Sequence, residues 1–145
     1  MGFFHRINKF LAPDHAGETG TKPVSRTAHG SAAEAAAVAW LQRQSLQLLM
    51  RNYKTPGRGG GEIDAIMRAA DGTLVFVEVR VRANSRHGGA AASIGSVKQR
   101  HSIHAAQRYL QQFPEMPPCR FDVMACDQPG PPWQWTWIVA AFDAA

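Results

Sequence analysis

From residue 74 the chain alternates in character. Val75, Val77, Val79 and Val81 fall on one side of an extended strand, and Leu74, Phe76, Glu78, Arg80 and Arg82 on the other. The segment before it alternates too, with Glu62, Asp64, Ile66 and Arg68 set against Ile63, Ala65 and Met67. Two such runs joined through Ala70-Asp71-Gly72 predict a hairpin. A two-residue loop, Asp71-Gly72, would oppose Asp64 to Val79 on the apolar face. A three-residue loop with Gly72 in the left-handed conformation matches both faces, and it sets Asp64 opposite Glu78 and Glu62 opposite Arg80.

The rest of the chain follows from the same periodicities. Phe3, Phe4, Ile7, Phe10 and Leu11 recur at helical spacing and predict a short amphipathic helix over the first eleven residues; a Gly, Pro and Thr-rich linker follows, so residues 1–29 read as a flexible segment carrying that helix and residues 30–145 as the domain. Ser31 opens a helix to about Gln44, with Glu34 as its Ser-x-x-Glu capping partner. A strand over residues 46–53 and the glycine-rich "KTPGRGGG" loop precede the hairpin. After a long loop, Ser96 and Gln99 repeat the capping pattern before a second helix, whose apolar stripe is Ile103, Ala106, Leu110 and Phe113. "PEMPP" stops that helix near Gln112, residues 119–126 form a fourth strand, and "WQWTWIVAAF" forms a fifth. The order α-β-β-β-α-β-β is that of an α/β sandwich with mixed strand directions.

Composition narrows the function classes. The 145 residues carry a net charge of +5. Residues 51–100 hold nine Lys or Arg against four acids, and the remainder seven against seven, so the whole excess surrounds the hairpin. A basic surface so placed suits a phosphate backbone, with Arg51, Lys54, Arg58, Arg82, Arg86, Lys98 and Arg100 as the expected contacts, although a solvated basic face would carry the same charge. Cys119 and Cys126 lie about 23 Å apart on one extended strand, beyond disulfide reach, which fits a reducing, cytoplasmic compartment. Arg6 and Lys9 interrupt the apolar N-terminus, so neither a signal peptide nor a membrane span is expected.

Two carboxylates facing each other across a sheet repel, and a hard divalent cation would relieve the repulsion. Mg²⁺ takes oxygen ligands, commonly only one or two protein carboxylates, and fills its octahedron with water and phosphate oxygens. The competing explanation is a solvated edge where Arg80 compensates, with Glu62 and Arg80 forming a plain cross-strand pair.

An acid in the first helix, an Asp on one strand and Glu-x-basic on the next resemble the PD-(D/E)XK nuclease superfamily. The segments "GSAAEAAAVAWL", "RNYKTPGRGGGEIDAI", "LVFVEVRVR", "GGAAASIGSVKQR" and "RFDVMA", in that order, resemble its YraN-like family of predicted endonucleases. The resemblance implies a restriction-endonuclease-like fold, a central mixed sheet flanked by helices, and metal-dependent hydrolysis of DNA, which is favoured over RNA and includes branched or structured forms. It implies Asp64, Glu78 and the Val79 carbonyl as ligands of Mg²⁺ or Mn²⁺. Glu34 matches the helix acid of junction-resolving members, although a capping role would explain it equally. Arg80 stands where the superfamily usually has Lys. Arginine stays charged and is no base, so either the metal alone acidifies the water or Lys98 substitutes. A catalytically inactive nucleic-acid-binding module of the same fold is the alternative.

Other features weigh less. Arg120 and Asp122 share a strand face, as support for the site or as an internal ion pair. His101 and His104 lie about a turn apart without a third zinc ligand. Trp133, Trp135 and Trp137 on one strand face suit core packing, a homodimer contact or base stacking. The "GRGGG" loop lacks the Lys-Ser/Thr of a phosphate-binding P-loop.

Overall fold

The computed structural model describes residues 26–57, 60–82, 94–128 and 130–144. The expected N-terminal helix, Arg58 and Arg86 lie outside them. Helix α1 (Arg26–Arg43) leads into β1 (Gln47–Lys54), β2 (Glu62–Arg68) and β3 (Leu74–Val81); α2 (Ser96–Leu110) crosses to β4 (Cys119–Cys126), and β5 (Thr136–Phe142) ends the fold. The five strands stand in the order β1-β2-β3-β4-β5. Only β3 and β4, joined through α2, run parallel, and the other neighbours are antiparallel. The α/β architecture with a mixed sheet is therefore that expected from the sequence.

The two faces of the sheet hold two cores. On one, Ala105, Ala106, Tyr109 and Leu110 of α2 cover Ile63, Ile66, Leu74, Phe76 and Phe121. On the other, Ala37, Val38 and Leu41 of α1 cover Ala65, Met67, Val75, Val77 and Met124. The hairpin has the expected register, Ala65 opposite Val77 and Ile66 opposite Phe76. Gly72 adopts φ +91°, its N–H donates to the Ala69 carbonyl at 3.0 Å, and the Thr73 N–H donates to Asp71 Oδ1 at 3.0 Å. The three-residue turn thus closes with glycine at the position that needs a positive φ.

Several boundaries differ from the sequence reading. Helix α1 begins at Arg26, so Ser31 lies inside it, its carbonyl accepts from Arg51, and no capping box forms there. The cap of α2 is Gly95, with no side-chain capping bond, and Gln99 donates instead to the Ile94 carbonyl. The buried stripe of α2 runs through Ser102, Ala105, Ala106, Tyr109 and Leu110, while Ile103 and Phe113 pack at its margin. Strand β5 starts at Thr136, which leaves Trp133 and Trp135 in the segment before it.

Gly61 seats α2 on the sheet. Its N–H donates to Thr55 Oγ1 at 2.6 Å, and a Cβ at this position would collide with the His101 carbonyl and crowd the Ala105 methyl at 2.9 Å. Helix backbone cannot yield as a flexible side chain does. Gly61→Ala is expected to cost about 3 kcal/mol, near the upper end for overpacking, measured as a lower urea midpoint.

Candidate metal-binding and nucleic-acid-facing site

Strict alternation along β2 would keep Ile63 with Ala65 and Met67, but it breaks at Asp64. Ile63 and Ile66 both face α2, whereas Ala65 faces α1. Neighbouring β1 breaks at the matching place: Met50 and Tyr53 both pack on the α2 side, and Asn52 between them has φ +52°. Arg51 pairs with Ala65 and Tyr53 with Ile63, so Asn52 stands across from Asp64. Asparagine tolerates the left-handed region better than most residues, and an Asn inside a strand was the available sequence signal for this kink.

The kink lets Asp64 reach both helices' sides of the sheet. The paired ladder of β2 and β3 ends at Ala65 and Val77. Two residues past Val77, the Val79 N–H, freed from the β2–β3 ladder, donates to Asp64 Oδ2 at 2.8 Å. The Asp64 carboxyl lies within hydrogen-bonding reach of Glu34 on α1 and of Glu78 on β3. Asp64 is 6% exposed and Glu78 5%. Asp64 and Glu78 therefore come together, buried, as the turn register predicts, but just past the last paired residues Ala65 and Val77; the expected Glu62–Arg80 pair is not among the paired residues of this ladder.

Cations surround the carboxylates. Lys98 Nζ, from the first turn of α2, is 3.3 Å from Glu78 Oε1, and Arg80 Nε is 3.6 Å from the same oxygen. Arg51 reaches Glu34 at 3.8 Å. The Nε atoms of Arg51 and Arg80 and the Ser102 hydroxyl are buried without a hydrogen-bond partner. Ser102 was not singled out in the sequence, although a polar residue in the apolar stripe of α2 marks it. Lys54, Arg82 and Arg100 are exposed, and Arg82 joins Arg80 at the rim of a cleft of about 500 Å³ beside Glu34.

Burial dominates the electrostatics. It raises the Glu78 carboxyl to about 7, and Asp64 adds to the rise, against the pull of Lys98 and Arg80. Burial also lifts Glu34 to about 7, reinforced by Asp64 and opposed by Arg51. Asp64 is raised as well, chiefly by burial, and the Val79 N–H and Lys98 limit the rise. Below the ordinary Glu value of 4.5, folded and unfolded chains are both protonated at Glu78. Between there and about 7 the unfolded chain releases a proton that folded Glu78 keeps, so folding becomes less favourable as pH rises. The metal-free protein is expected to melt roughly 5 °C higher at pH 5.5 than at pH 8, a difference on the order of 2 kcal/mol. A scanning-calorimetry series across this range, with Glu78→Gln flattening the slope, checks it.

The donor set has a definite chemistry. Among the described residues no three His, Cys, Asp or Glu side chains converge on one metal position, so a closed four-ligand zinc site does not fit. A pair of buried carboxylates with open positions fits a hard ion that keeps several waters. His101 and His104 are exposed on α2. Arg120 and Asp122 form an internal pair at 3.1 Å, and Asp122, fully buried, also accepts from Trp137 Nε1 and the Ala140 N–H. Trp137 packs edge-on against Trp40 of α1. Both cysteines are free, and among the described residues no helix is long and apolar enough to cross a membrane.

A family model described as "Uncharacterised protein family UPF0102" matches residues 33–126, which run from α1 to the end of β4 and include Glu34, Asp64, Glu78 and Lys98. The chain is 59% identical over 115 residues to a UPF0102 protein of Albidiferax ferrireducens, covering 79% of this chain and 87% of the relative. It is 55% identical over 128 residues to one from Paracidovorax citrulli, covering 88% and 91%, and 47% identical over 150 residues to one from a Polaromonas species, covering 99% of each. With the model spanning most of the domain and relatives of this identity matching nearly end to end, the chain belongs to the uncharacterised protein family UPF0102.

Proposed function

We propose that this protein is a metal-dependent nuclease of the PD-(D/E)XK type, close to the YraN-like endonucleases, that hydrolyses phosphodiester bonds of DNA, branched or structured forms included. The observation that carries the reading is the buried pair Asp64 and Glu78, raised in pKa where the β2–β3 ladder ends, with Lys98 and Arg80 on Glu78 and Arg51 on the neighbouring Glu34. A cation would relieve the repulsion and desolvation that burial imposes on the pair.

Asp64 and Glu78 would hold Mg²⁺ or Mn²⁺, with the Val79 carbonyl as a further oxygen, while Glu34 neighbours Asp64 outside the donor set. When bound, the ion supplies Lewis-acid charge at the phosphoryl group. The Val79 N–H fixes one Asp64 oxygen and so sets the direction of the other. Arg80 and Arg51 carry buried N–H groups lacking an acceptor, which phosphate oxygens would supply, and they place positive charge where the transition state gathers negative charge. Lys98 approaches Glu78 more closely than Arg80 does, so the lysine expected on β3 has a counterpart arriving from α2. Its ammonium donates hydrogen bonds that orient a water for in-line attack.

Arg80 favours one second reading, a nucleic-acid-binding module of this fold without turnover, because arginine cannot deprotonate water. The decisive experiment incubates the protein with linear, flap, four-way and RNA substrates in Mg²⁺ or Mn²⁺, alongside Asp64→Ala and Glu78→Ala. Cleavage by the wild type alone supports the nuclease. Salt-dependent binding without cleavage supports the module, and equal cleavage by all three proteins would mean contamination.

A further inference from the structure

The cleft beside the carboxylates has walls of three kinds. Gly30, Ala33 and Glu34 of α1 line it, with Val79, Arg80 and Val81 of β3, Arg82 just past the end of that strand, and Gly130 and Trp133 of the β4–β5 connection. Trp133 lies before β5, outside the region matched by the family model. Its indole stacks on Trp135, with ring centroids 5.6 Å apart and planes 13° from parallel. One face of Trp133 is therefore backed by a second indole, which itself packs at the margin of the α1-side core and so ties the Trp133 ring to it. Gly130 has φ +58°, which suits glycine, and a Cβ placed there would stand in ordinary van der Waals contact with Trp133 Cη2 at 3.9 Å, so the loop runs alongside the ring.

We infer that this cleft receives one unpaired nucleotide, its base stacked on Trp133 and its phosphates held by Arg80 and Arg82, so that the substrate carries a single-stranded or extruded segment at the site. The volume of about 500 Å³ falls in the range of small-molecule pockets, enough for a single nucleotide. A base inside a duplex offers only its edges in the grooves, because neighbouring base pairs cover its faces, whereas stacking on an indole needs the ring face, which an unpaired or extruded nucleotide presents. Apolar wall, aromatic plate and guanidinium groups at one place are what a base with its phosphates requires. Val79 joins this cleft to the carboxylate pair, since its N–H binds Asp64 while the residue lines the cleft.

The inference rests on the nuclease reading for the position of the scissile phosphate, but it is tested without cleavage. Metal-free protein is titrated by fluorescence anisotropy against labelled oligo-dT, its RNA counterpart and a blunt duplex of equal length. Wild type is expected to prefer the single strands, and Trp133→Ala to weaken that binding about tenfold, within the range for loss of one stacked base, with duplex affinity changed less than twofold. Trp133→Phe should retain most of the affinity. Independently of any variant, an oligonucleotide carrying 5-iododeoxyuridine should photocrosslink wild-type protein at Trp133. Equal affinity for single and double strands, a Trp133→Ala variant that binds as wild type does, or crosslinks confined to other residues would each overturn it. Single-strand preference at Trp133 with no metal-dependent cleavage would uphold the cleft assignment and sink the nuclease reading instead.

Discussion

Glu78→Gln should raise the melting temperature of the metal-free protein at pH 8 while lowering Mg²⁺- or Mn²⁺-dependent cleavage at least 10³-fold. The two effects share one cause. At pH 8 the folded protein holds ionised carboxyls that burial and mutual repulsion disfavour, and a neutral amide of nearly the same shape removes one of them. The same amide is a poor ligand for a hard cation, and a loss of about 4 kcal/mol at the transition state corresponds to the stated fall in rate. Manganese separates these terms. At 100-fold excess over its dissociation constant it should stabilise the wild type by about 2.7 kcal/mol and the Gln variant hardly at all. A Gln variant that melts lower than wild type without metal, yet gains the same stability on adding manganese, would remove the carboxylate pair as the cation site.

The second large effect concerns folding. Asp122→Ala should cost about 3–5 kcal/mol, because the Trp137 indole N–H at 2.9 Å and the Ala140 backbone N–H at 2.9 Å lose their acceptor together with Arg120. Between Phe121 and Val123 the pairing with β5 shifts register, and Ala140 there has φ +51°. The Asp122 carboxylate binds the N–H that this irregularity withdraws from the ladder. Asn does not rescue the site. Both Asp122 oxygens accept N–H donors, so an amide nitrogen faces a donor in either orientation. Urea denaturation of Asp122→Ala and Asp122→Asn should therefore show both variants destabilised, the alanine more, with metal affinity retained under native conditions. An Asn variant as stable as wild type would refute this account.

Much of the fold was legible because its causes are local. The hairpin turn follows from one glycine and the period of two, and those together place Asp64 across from Glu78. The cysteine separation, the strand at residues 119–126 and the charge excess around the hairpin also need no partner from elsewhere in the chain. Capping motifs misled for a definite reason. A Ser-x-x-Glu spacing also occurs inside a helix, and only the contacts of Glu34 with Arg51 and Asp64 reveal that it faces a site instead of its own N-terminus.

By itself, then, the sequence determined the order of elements, the register of the central hairpin and the acids at its mouth, since alternation and turn chemistry act over a few residues. The tertiary structure decided how those acids are used. Which helix covers which face, the paired kinks at Asn52 and Asp64 that turn one carboxyl toward both sides of the sheet, the arrival of Lys98 at Glu78 and the meeting of Trp133 and Glu34 around one cleft all join residues distant along the chain. Burial and packing across the sheet select those contacts, and periodicity carries no record of them.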